Sequence, residues 1–361
     1  MAASYLAVLA LAPFALYATF LALLCFEQIQ QHLIFLHRVR LSGQSNFDAP
    51  ESYGFAPYRV HNLRIPIGKD QHLGAWLLPA LSSYSTRIES LPMRPSQAVY
   101  ADILRTSNRP TLMYMHGNAA TRAVGFRMRA ARILANELDF NVVMLDYRGF
   151  GDSSSIRPSQ ATAVQDAGRL FEWLNREIGV HAHDIVCYGH SLGTGICADL
   201  VARQLAPQDI HLRALILIAP FKSIPSLLTT YRLFGLIPIM GPLRKSRHVE
   251  ALVRTFLTTR FETDTILSLA QCPLLLIHST NDHDIVYTHS RELFDNVFLN
   301  STIGATSIAQ QTMYGHGLLR HFTRSNGSPV VHLEIDSGGH NGVGTLEVST
   351  LAIKRIVEPL G

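Results

Sequence analysis

Short, uninterrupted apolar runs alternate with amphipathic stretches through the middle of the chain. The apolar runs predict strands over residues 111–115, 141–146, 184–188, 214–219, 273–278 and 330–335. The amphipathic stretches predict helices over residues 122–138, 160–177 and 192–204. Strands without polar alternation are typical of a sheet covered by helices on both faces, so the pattern predicts an α/β fold with a mostly parallel sheet. Ahead of it, residues 59–67 and 72–80 predict a strand pair around a Gly-Lys-Asp turn.

Three stretches interrupt this alternation. Residues 81–109 are rich in Ser, Pro and Arg and are expected to run over the surface. Residues 221–271 form a candidate cap, and residues 296–326 are a second insertion for which the sequence suggests no purpose. The cap is unusually apolar, with Ile224, Leu227, Leu228, Tyr231, Leu233, Phe234, Leu236, Ile237, Ile239 and Met240. An apolar cap suits an acyl chain or a membrane surface, and simple packing on the sheet explains it equally well.

The N-terminus carries a second strong signal. From Tyr5 to Phe26 there is no charged residue, and a helix needs about 20 apolar residues to cross a bilayer. We therefore predict a single transmembrane helix as an anchor and divide the chain into an anchor with a juxtamembrane segment, residues 1–40, and a catalytic domain, residues 41–361. A cleaved signal peptide is the weaker alternative, because no Lys or Arg precedes the apolar stretch. Residues 27–40 predict an interfacial helix with Leu33, Ile34, Leu36 and Val39 on one side.

Two signals disagree on which side of the membrane the catalytic domain lies. Four arginines follow the span and nothing basic precedes it, which favours the cytosol; they are Arg38, Arg40, Arg59 and Arg64. Two N-x-S/T sequons, at Asn300 and Asn326, are glycan acceptors only if that region is lumenal.

Composition excludes other classes of protein. The chain has 361 residues and a formal net charge of +4 with its Lys and Arg scattered, which does not suggest nucleic-acid binding. Its four cysteines form neither a C-x-x-C pair nor a disulfide ladder, so we interpret them as core residues.

The most informative motif is Gly189-His190-Ser191-Leu192-Gly193, between a predicted strand and a predicted helix. A strand, G-x-S-x-G and a helix form a sharp turn that exposes the serine as a nucleophile, and small flanking residues keep that turn free of clashes. The following helix directs its N-terminal amides at the space beside Ser191, where an oxyanion would form.

A serine hydroxyl needs a base, and the base needs a carboxylate that orients it. Asp282 follows the strand at 273–278, and His340 follows the last strand after two glycines. We assign Asp282 as the orienting acid, with Asp284 as its competitor, and His340 as the general base among the 17 histidines. The chain order Ser, acid, His agrees with a strand-turn-helix nucleophile of this kind.

An oxyanion hole needs two backbone amides. One is expected from Leu192, after the nucleophile, and the other from the loop His116-Gly117-Asn118-Ala119-Ala120. We favour the Asn118 amide, with Ala119 as the alternative. His116 is expected to support this loop structurally, and Asp146 the loop that follows it. No metal or cofactor is required.

Four motifs give the chain a specific resemblance: MHGNAATR (115–122), DYRGFGDS (146–153), YGHSLGTG (188–195) and CPLLLIH (272–278). The chain resembles membrane-anchored α/β-hydrolase-domain lipases, which cleave monoacylglycerols and lysophosphatidylserine. The resemblance covers residues 111 to 294 and implies the α/β-hydrolase fold, one N-terminal span and a triad on Ser191, Asp282 and His340. Members of that family commonly face the lumen of the endoplasmic reticulum, which favours the sequons. The family's acid loop reads His-Ala-Glu-Asp-Asp; here it is His-Ser-Thr-Asn-Asp, ending at Asp282.

These observations predict a membrane-tethered serine hydrolase that acts on carboxylic esters of lipids, either monoacylglycerols or lysophospholipids. Its expected partners are the lipid substrate and the bilayer, and its expected location is the endoplasmic reticulum membrane. A protein-palmitoyl thioesterase would use the same residues. An interaction protein on a catalytically inactive hydrolase scaffold is the alternative outside enzymes. The cap and the 296–326 insertion match the family poorly, so the head group is the inference that transfers least.

Overall fold

The computed structural model describes residues 11–12, 15–17, 19, 22–39, 46–233, 237–238, 247–301, 308–313 and 317–358. Among these residues, none of the helices has both the length and the apolar character needed to cross a bilayer. Half of the predicted span, residues 5–26, lies outside the described residues, so the anchor stays a prediction.

A ten-stranded sheet forms the centre of the described chain. Its strands are β1 His61–Gly68, β2 Gln71–Leu78, β3 Thr111–Met115, β4 Asn141–Leu145, β5 Ile185–His190, β6 Ala214–Ile218, β9 Leu274–Ser279, β10 Ala309–Met313, β11 Gly317–Thr323 and β12 Pro329–Ile335. Their order is β1-β2-β4-β3-β5-β6-β9-β12-β11-β10. The six strands from β4 to β12 are parallel, and the pairs at both edges are antiparallel. A separate two-stranded ribbon joins β7 Arg232–Leu233 and β8 Ile237–Pro238.

Helices cover both faces of the sheet. They are α1 Glu27–Phe35, α2 Leu81–Arg87, α3 Gln97–Thr106, α4 Gly125–Asn136, α5 Gln160–Glu172, α6 Leu192–Asp199, α7 Ile224–Thr230, α8 Arg247–Phe256, α9 Thr263–Ile266, α10 Thr288–Asn300, α11 Gly339–Gly342 and α12 Glu347–Val357. The parallel α/β fold is therefore confirmed.

Burial on both faces explains the apolar runs. In β6, Leu215 and Leu217 join the core on one face, whereas Ile216 and Ile218 join the core on the other. All four are at most 1% exposed. Each such side chain contributes about 1.5–3 kcal/mol by leaving water, so a central strand gains nothing from polar alternation.

The strand register brings four loops to one rim of the sheet. Met115 pairs with Gly189, His190 with Ile218, and Ser279 with Ile335. Because the carboxyl ends of these parallel strands are level, the loops that follow β3, β5, β9 and β12 emerge side by side. Each predicted site residue lies in one of these loops, in α6 after β5, or in α11 after β12.

Two predicted excursions are ordered parts of the fold. Residues 81–109, expected on the surface, include α2 and α3, and Tyr100, Ile103 and Leu104 on α3 are buried. Residues 296–326 include the end of α10 and the strands β10 and β11, which extend the sheet beyond β12. Most of residues 81–109 are exposed, so the expectation of a surface excursion is confirmed, but it did not include these two helices.

Candidate active site

Ser191 lies at a sharp turn between β5 and α6. Its backbone has φ 54° and ψ −121°, and its amide donates a hydrogen bond to the Ile218 carbonyl at 3.0 Å. Positive φ at a residue with a side chain costs about 1–3 kcal/mol. A Cβ at Gly189 would lie 2.5 Å from the Gly193 carbonyl oxygen, and one at Gly193 would lie 2.1 Å from the Met115 carbonyl oxygen. The turn therefore needs both glycines, as the motif predicts.

Asp282 and His340 form a hydrogen-bonded pair beside this turn. The Nδ1 atom of His340 lies 2.8 Å from Oδ2 of Asp282. The other carboxylate oxygen accepts the backbone N–H groups of Asp284 and Ile285, both at 2.9 Å. Since a carboxylate only accepts, Nδ1 of His340 carries the proton and Nε2 is left with a lone pair. That tautomer is the one a general base needs.

His278 holds the same carboxylate from below the rim. Its Nε2 lies 3.0 Å from the Ile285 carbonyl oxygen and 3.3 Å from Oδ2 of Asp282. Because the carbonyl can only accept, Nε2 of His278 carries a proton directed at the acid loop. Asp282 is thus held by donors on both oxygens.

The two members of the pair shift each other's pKa in opposite directions. Burial alone would raise the pKa of Asp282, but hydrogen bonds from His278 and His340 hold it well below its usual value. Burial alone would lower the pKa of His340, but the hydrogen bond and charge of Asp282, with the charge of Asp284, raise it above its usual value. The pair therefore stabilises the imidazolium that would form when His340 takes a proton.

His190, the variable residue of the motif, supports His340 from the other side. Burial and the neighbouring His340 lower the pKa of His190 to about 3. The neutral ring donates from Nε2 to the His340 carbonyl oxygen at 2.8 Å. The motif therefore positions the backbone of His340, the candidate base, as well as Ser191, the candidate nucleophile.

Ser191 and His340 line one cavity. No hydrogen bond joins the Ser191 hydroxyl to the His340 ring in this structure. Such bonds are often long without substrate and tighten in the complex.

Asp284, the competing acid, does not take the orienting position. It lines the cavity with Ser191 and His340, and it gives its backbone N–H to Asp282. Asp282, Asp284 and His340 each offer one donor atom within 4.8 Å of the others, a set that could hold a metal ion. Both oxygens of Asp282 already accept hydrogen bonds and Nδ1 of His340 is protonated, so the arrangement fits an acid–base pair better.

The loop after β3 holds an unusual backbone. Ala119 and Ala120 have φ values of 55° and 52°, in the left-handed region. The Ala119 amide donates to the Phe35 carbonyl at 2.9 Å, and the Ala120 amide donates to the Val39 carbonyl at 3.1 Å. Ala119 is thus unavailable as an oxyanion donor. Among the described residues, the Asn118 amide has no hydrogen-bond acceptor, so it stays the candidate donor on this loop.

Arg127 supports the same loop from beneath. This side chain is 2% exposed. Its Nη2 donates to the carbonyl oxygens of Gly117, Asn118 and Ala119 at 3.2, 2.9 and 3.0 Å, and its Nη1 donates to that of Thr121 at 3.0 Å. Because the carbonyls are held inwards, the intervening amides are directed away from the guanidinium.

A second buried cluster supports the loops after β3 and β4, as predicted for His116 and Asp146. Asp146 accepts hydrogen bonds from the backbone and side chain of Arg122, and its Oδ1 lies 3.2 Å from Nε2 of His116. Nδ1 of His116 lies 2.6 Å from the Gly117 carbonyl oxygen. Neither residue lines the cavity with Ser191, so their roles are structural.

The cavity has a volume of about 510 Å³ and mostly apolar walls. The cap contributes Phe221, Ile224, Leu227, Leu228, Tyr231 and Leu257, and the N-terminal segment contributes Leu24, Leu33, Ile34, Leu36 and Val39. Part of the predicted cap thus faces the site. The predicted cap residues Phe234, Leu236, Ile239 and Met240 lie outside the described residues.

Sequence reasoning missed His190, His278, Arg127 and the 35–39 backbone. His190 and His278 flank predicted residues, so a closer look at those neighbours could have found them. For Arg127 and the backbone carbonyls there is no sequence signal, because their partners come from the fold.

Comparisons with known proteins agree with the fold. Residues 110–237 match the family described as alpha/beta hydrolase fold. The chain is 30% identical over 277 residues to lysophosphatidylserine lipase ABHD12 of Rattus norvegicus, covering 76% of this chain and 65% of that one. It is 28% identical over 270 residues to the Danio rerio protein of that name, covering 74% and 66%. The chain belongs to the α/β-hydrolase-domain lipases. As a member of this family, the chain is a serine ester hydrolase. It spans about two thirds of the length of these relatives.

Solved structures support the same fold at low identity. The Pyrococcus furiosus esterase Pf2001 aligns with a TM-score of 0.52 at 14% identity, covering 88% of this chain and 93% of that one. An alpha-beta hydrolase from Vibrio vulnificus aligns with a TM-score of 0.53 at 16% identity, covering 84% and 81%. These likenesses concern the architecture of the hydrolase alone.

Proposed function

We propose that this hydrolase is tethered to a membrane by residues 5–26 and cleaves the acyl ester of single-chain lipids, monoacylglycerols or lysophospholipids. The main observation in support of this proposal is that Ser191 and His340 line one apolar cavity, and that His340 is paired with Asp282. Its volume of about 510 Å³ falls within the roughly 300–1,000 Å³ of small-ligand pockets. Apolar walls of this extent suit an acyl chain, with the ester at the polar rim.

In this proposal Ser191 Oγ attacks the ester carbonyl while Nε2 of His340 takes its proton. Asp282 keeps Nδ1 protonated and stabilises the imidazolium. The amides of Leu192 and Asn118 stabilise the tetrahedral oxyanion. His340 then returns the proton to the leaving alcohol, and the acyl group remains on Ser191. Water repeats the cycle, giving the free fatty acid and restoring the serine.

The names of the relatives supply a substrate class for the first assays. They are called lysophosphatidylserine lipases, so a lysophospholipid and a monoacylglycerol are the first substrates to compare. A palmitoylated peptide is the third, because a thioesterase would use the same residues. Faster turnover of the thioester than of both lipids would overturn the ester assignment.

The nucleophile is tested in the full chain with a fluorophosphonate probe. Ser191→Ala should abolish labelling and lipid turnover, because the probe reacts only with an activated serine. Ser337→Ala is a matched control: this exposed serine lies close to His340 in sequence, and its removal should leave labelling unchanged. Persistent labelling of Ser191→Ala, or no turnover by a well-folded wild-type chain, would reject the proposed function.

We further propose that the catalytic domain faces the lumen of the endoplasmic reticulum. Asn300 and Asn326, the sequon residues, are both exposed, and the resemblance to lumenal relatives supports this side. Expressed protein should shift in size on endoglycosidase treatment, and the double Asn300→Gln, Asn326→Gln variant should not. Absence of a shift in the wild-type chain would contradict the lumenal assignment.

A further inference from the structure

The segment that follows the predicted span forms part of the active-site cavity. Helix α1 and the residues after it, together the juxtamembrane segment 27–39, contribute Leu33, Ile34, Leu36 and Val39 to the wall. The sequence predicts these four residues as one side of an interfacial helix. In the structure they line the cavity that Ser191 lines.

The same segment contacts the oxyanion loop through its backbone. Ala119 and Ala120 both adopt positive φ, a conformation that costs residues with a side chain energy and persists only where the surroundings enforce it. The carbonyls of Phe35 and Val39 accept the two amides of this strained pair. Arg127 holds the carbonyl side of the loop, so the juxtamembrane segment holds the opposite, amide side.

Gln30 fixes the juxtamembrane segment in place. Its side chain is 1% exposed. Its Nε2 donates to the carbonyls of Leu24 and Phe256 at 2.8 and 2.7 Å. Its Oε1 accepts from the amide and the hydroxyl of Thr258 at 3.0 and 3.1 Å. Both donors and both acceptor positions of this amide are used, and three of the four bonds join α1 to residues 256–258 of the cap.

We propose that docking of the juxtamembrane segment sets the geometry of the oxyanion loop, with Gln30 as the positioning residue that holds the segment down. The loop is strained, and its amide side is supported by the Phe35 and Val39 carbonyls. If α1 lifts away, Ala119 and Ala120 lose their acceptors and the Asn118 amide loses its fixed direction. This inference rests on the proposed function, and it makes residues 27–39 part of the catalytic unit.

The test compares Gln30→Met with Gln28→Met in the full chain in mixed micelles. Methionine keeps the length of the side chain and removes its hydrogen bonds, and Gln28 is exposed on the same helix. Hydrogen exchange of a peptide covering residues 117–121 reports the Ala119 and Ala120 amides without any need for turnover. We expect Gln30→Met to speed this exchange and to lower kcat on the order of tenfold, less than the roughly 10²–10³-fold cost of deleting an oxyanion donor. Gln28→Met should match wild type in both measurements.

The outcomes separate the two proposals. Unchanged exchange and kcat in Gln30→Met, with an active wild-type chain, would overturn the positioning role and leave the hydrolase assignment intact. Faster exchange in Gln30→Met, together with a wild-type chain that turns over no ester, would reject the proposed function and retain the mechanical coupling. Should Gln30→Met fail to fold, Thr258→Val removes one of the four bonds, and it should produce smaller changes in the same direction. No change in Thr258→Val would then count against the proposal.

Discussion

The pairing of Asp282 with His340 gives the sharpest prediction, because replacing one carboxylate oxygen by NH₂ moves the ring proton of His340 from one nitrogen to the other. In Asp282→Asn, the amide oxygen is expected to stay where the N–H groups of Asp284 and Ile285 already point. The NH₂ group then takes the place of Oδ2, 2.8 Å from Nδ1 of His340. Since that NH₂ donates, Nδ1 must become the acceptor, and the ring proton moves to Nε2. A protonated Nε2 has no lone pair with which to accept the proton of Ser191.

The size of the effect follows from this tautomer switch. The variant loses the charge that raises the pKa of His340, and its dominant neutral tautomer is the wrong one. A serine hydrolase with its orienting acid replaced in this way loses about 10⁴ in kcat, which is about 5.4 kcal/mol of transition-state stabilisation at 1.36 kcal/mol per factor of ten. The substitution also sets the NH₂ group against the N–H of His278, 3.3 Å from the present Oδ2, so the melting temperature should fall as well.

The assay is kcat/KM for p-nitrophenyl butyrate with the full chain in detergent, measured well below the melting temperature of each variant. Asp284→Asn is the matched control: the same change two residues away, at a residue that lines the cavity but is not paired with the base. Counted in orders of magnitude, the loss of kcat/KM in Asp284→Asn should be less than about a tenth of the loss in Asp282→Asn. A folded Asp282→Asn chain with more than a tenth of wild-type activity would refute the assignment of Asp282 as the orienting acid.

Three further predictions concern residues around this pair. The negative charge of Asp284 contributes to the raised pKa of His340. Because His340 must be neutral to act as a base, Asp284→Asn should lower its pKa and move the acid limb of the pH profile of kcat/KM to lower pH. An acid limb that stays in place or moves to higher pH contradicts this. Arg127→Lys keeps a charge but not four bonds to carbonyls, so we expect kcat to fall about 10²-fold with little change in KM. Exposed Arg129→Lys is its control, and equal effects in both would count against a role in the oxyanion loop. In Gly193→Ala, the new Cβ would lie 2.1 Å from a backbone carbonyl oxygen of β3, so soluble expression and probe labelling should both be lost; a labelled, stable variant would show that the turn tolerates a Cβ.

The central strands could be predicted because both of their faces are buried. β3 is predicted over its observed range, and β6 is predicted to within one residue at its end. Every position of such a strand lies in the core, so the apolar run marks the strand directly. The edge formed by β10 and β11 lacks this signal, because both are antiparallel strands outside the parallel core and five of the seven residues of β11 are only partly buried.

Helix α3 was not predicted, although it lies in a stretch that is mostly exposed as expected. Its stretch looked like a surface excursion because Ser, Pro and Arg dominate the residues around it. Tyr100, Ile103 and Leu104 nevertheless form a buried face at helical spacing. The hydroxyl of Tyr100 donates to the Tyr58 carbonyl at 2.6 Å, a contact that depends on how the edge strand pair is approached. Composition averaged over the stretch concealed a short periodic segment within it.

Ser191, Asp282 and His340 could be located because each lies in a short motif directly after a strand. That reasoning uses only local order along the chain and the rule that parallel strands end at one rim. Gln30 follows no such rule: its partner Thr258 is 228 positions away, and a glutamine in a helix with several other polar residues has no feature that marks it as buried. Arg127 is similar, since its partners are main-chain carbonyls, which every sequence possesses.

Three non-glycine residues with positive φ, Ser191, Ala119 and Ala120, are concentrated where the oxyanion would form. Each costs stability, at about 1–3 kcal/mol. Each donates its amide to a carbonyl of a distant part of the chain: Ser191 to β6, and both alanines to the juxtamembrane segment. A fold selected for stability alone would relax this loop. The strain is therefore best explained by the direction it imposes on the Asn118 amide, and the segment that maintains it is the one that leads towards the predicted membrane span. On this argument, the amide side of the oxyanion hole depends on residues that a boundary after residue 40 would assign to the anchor.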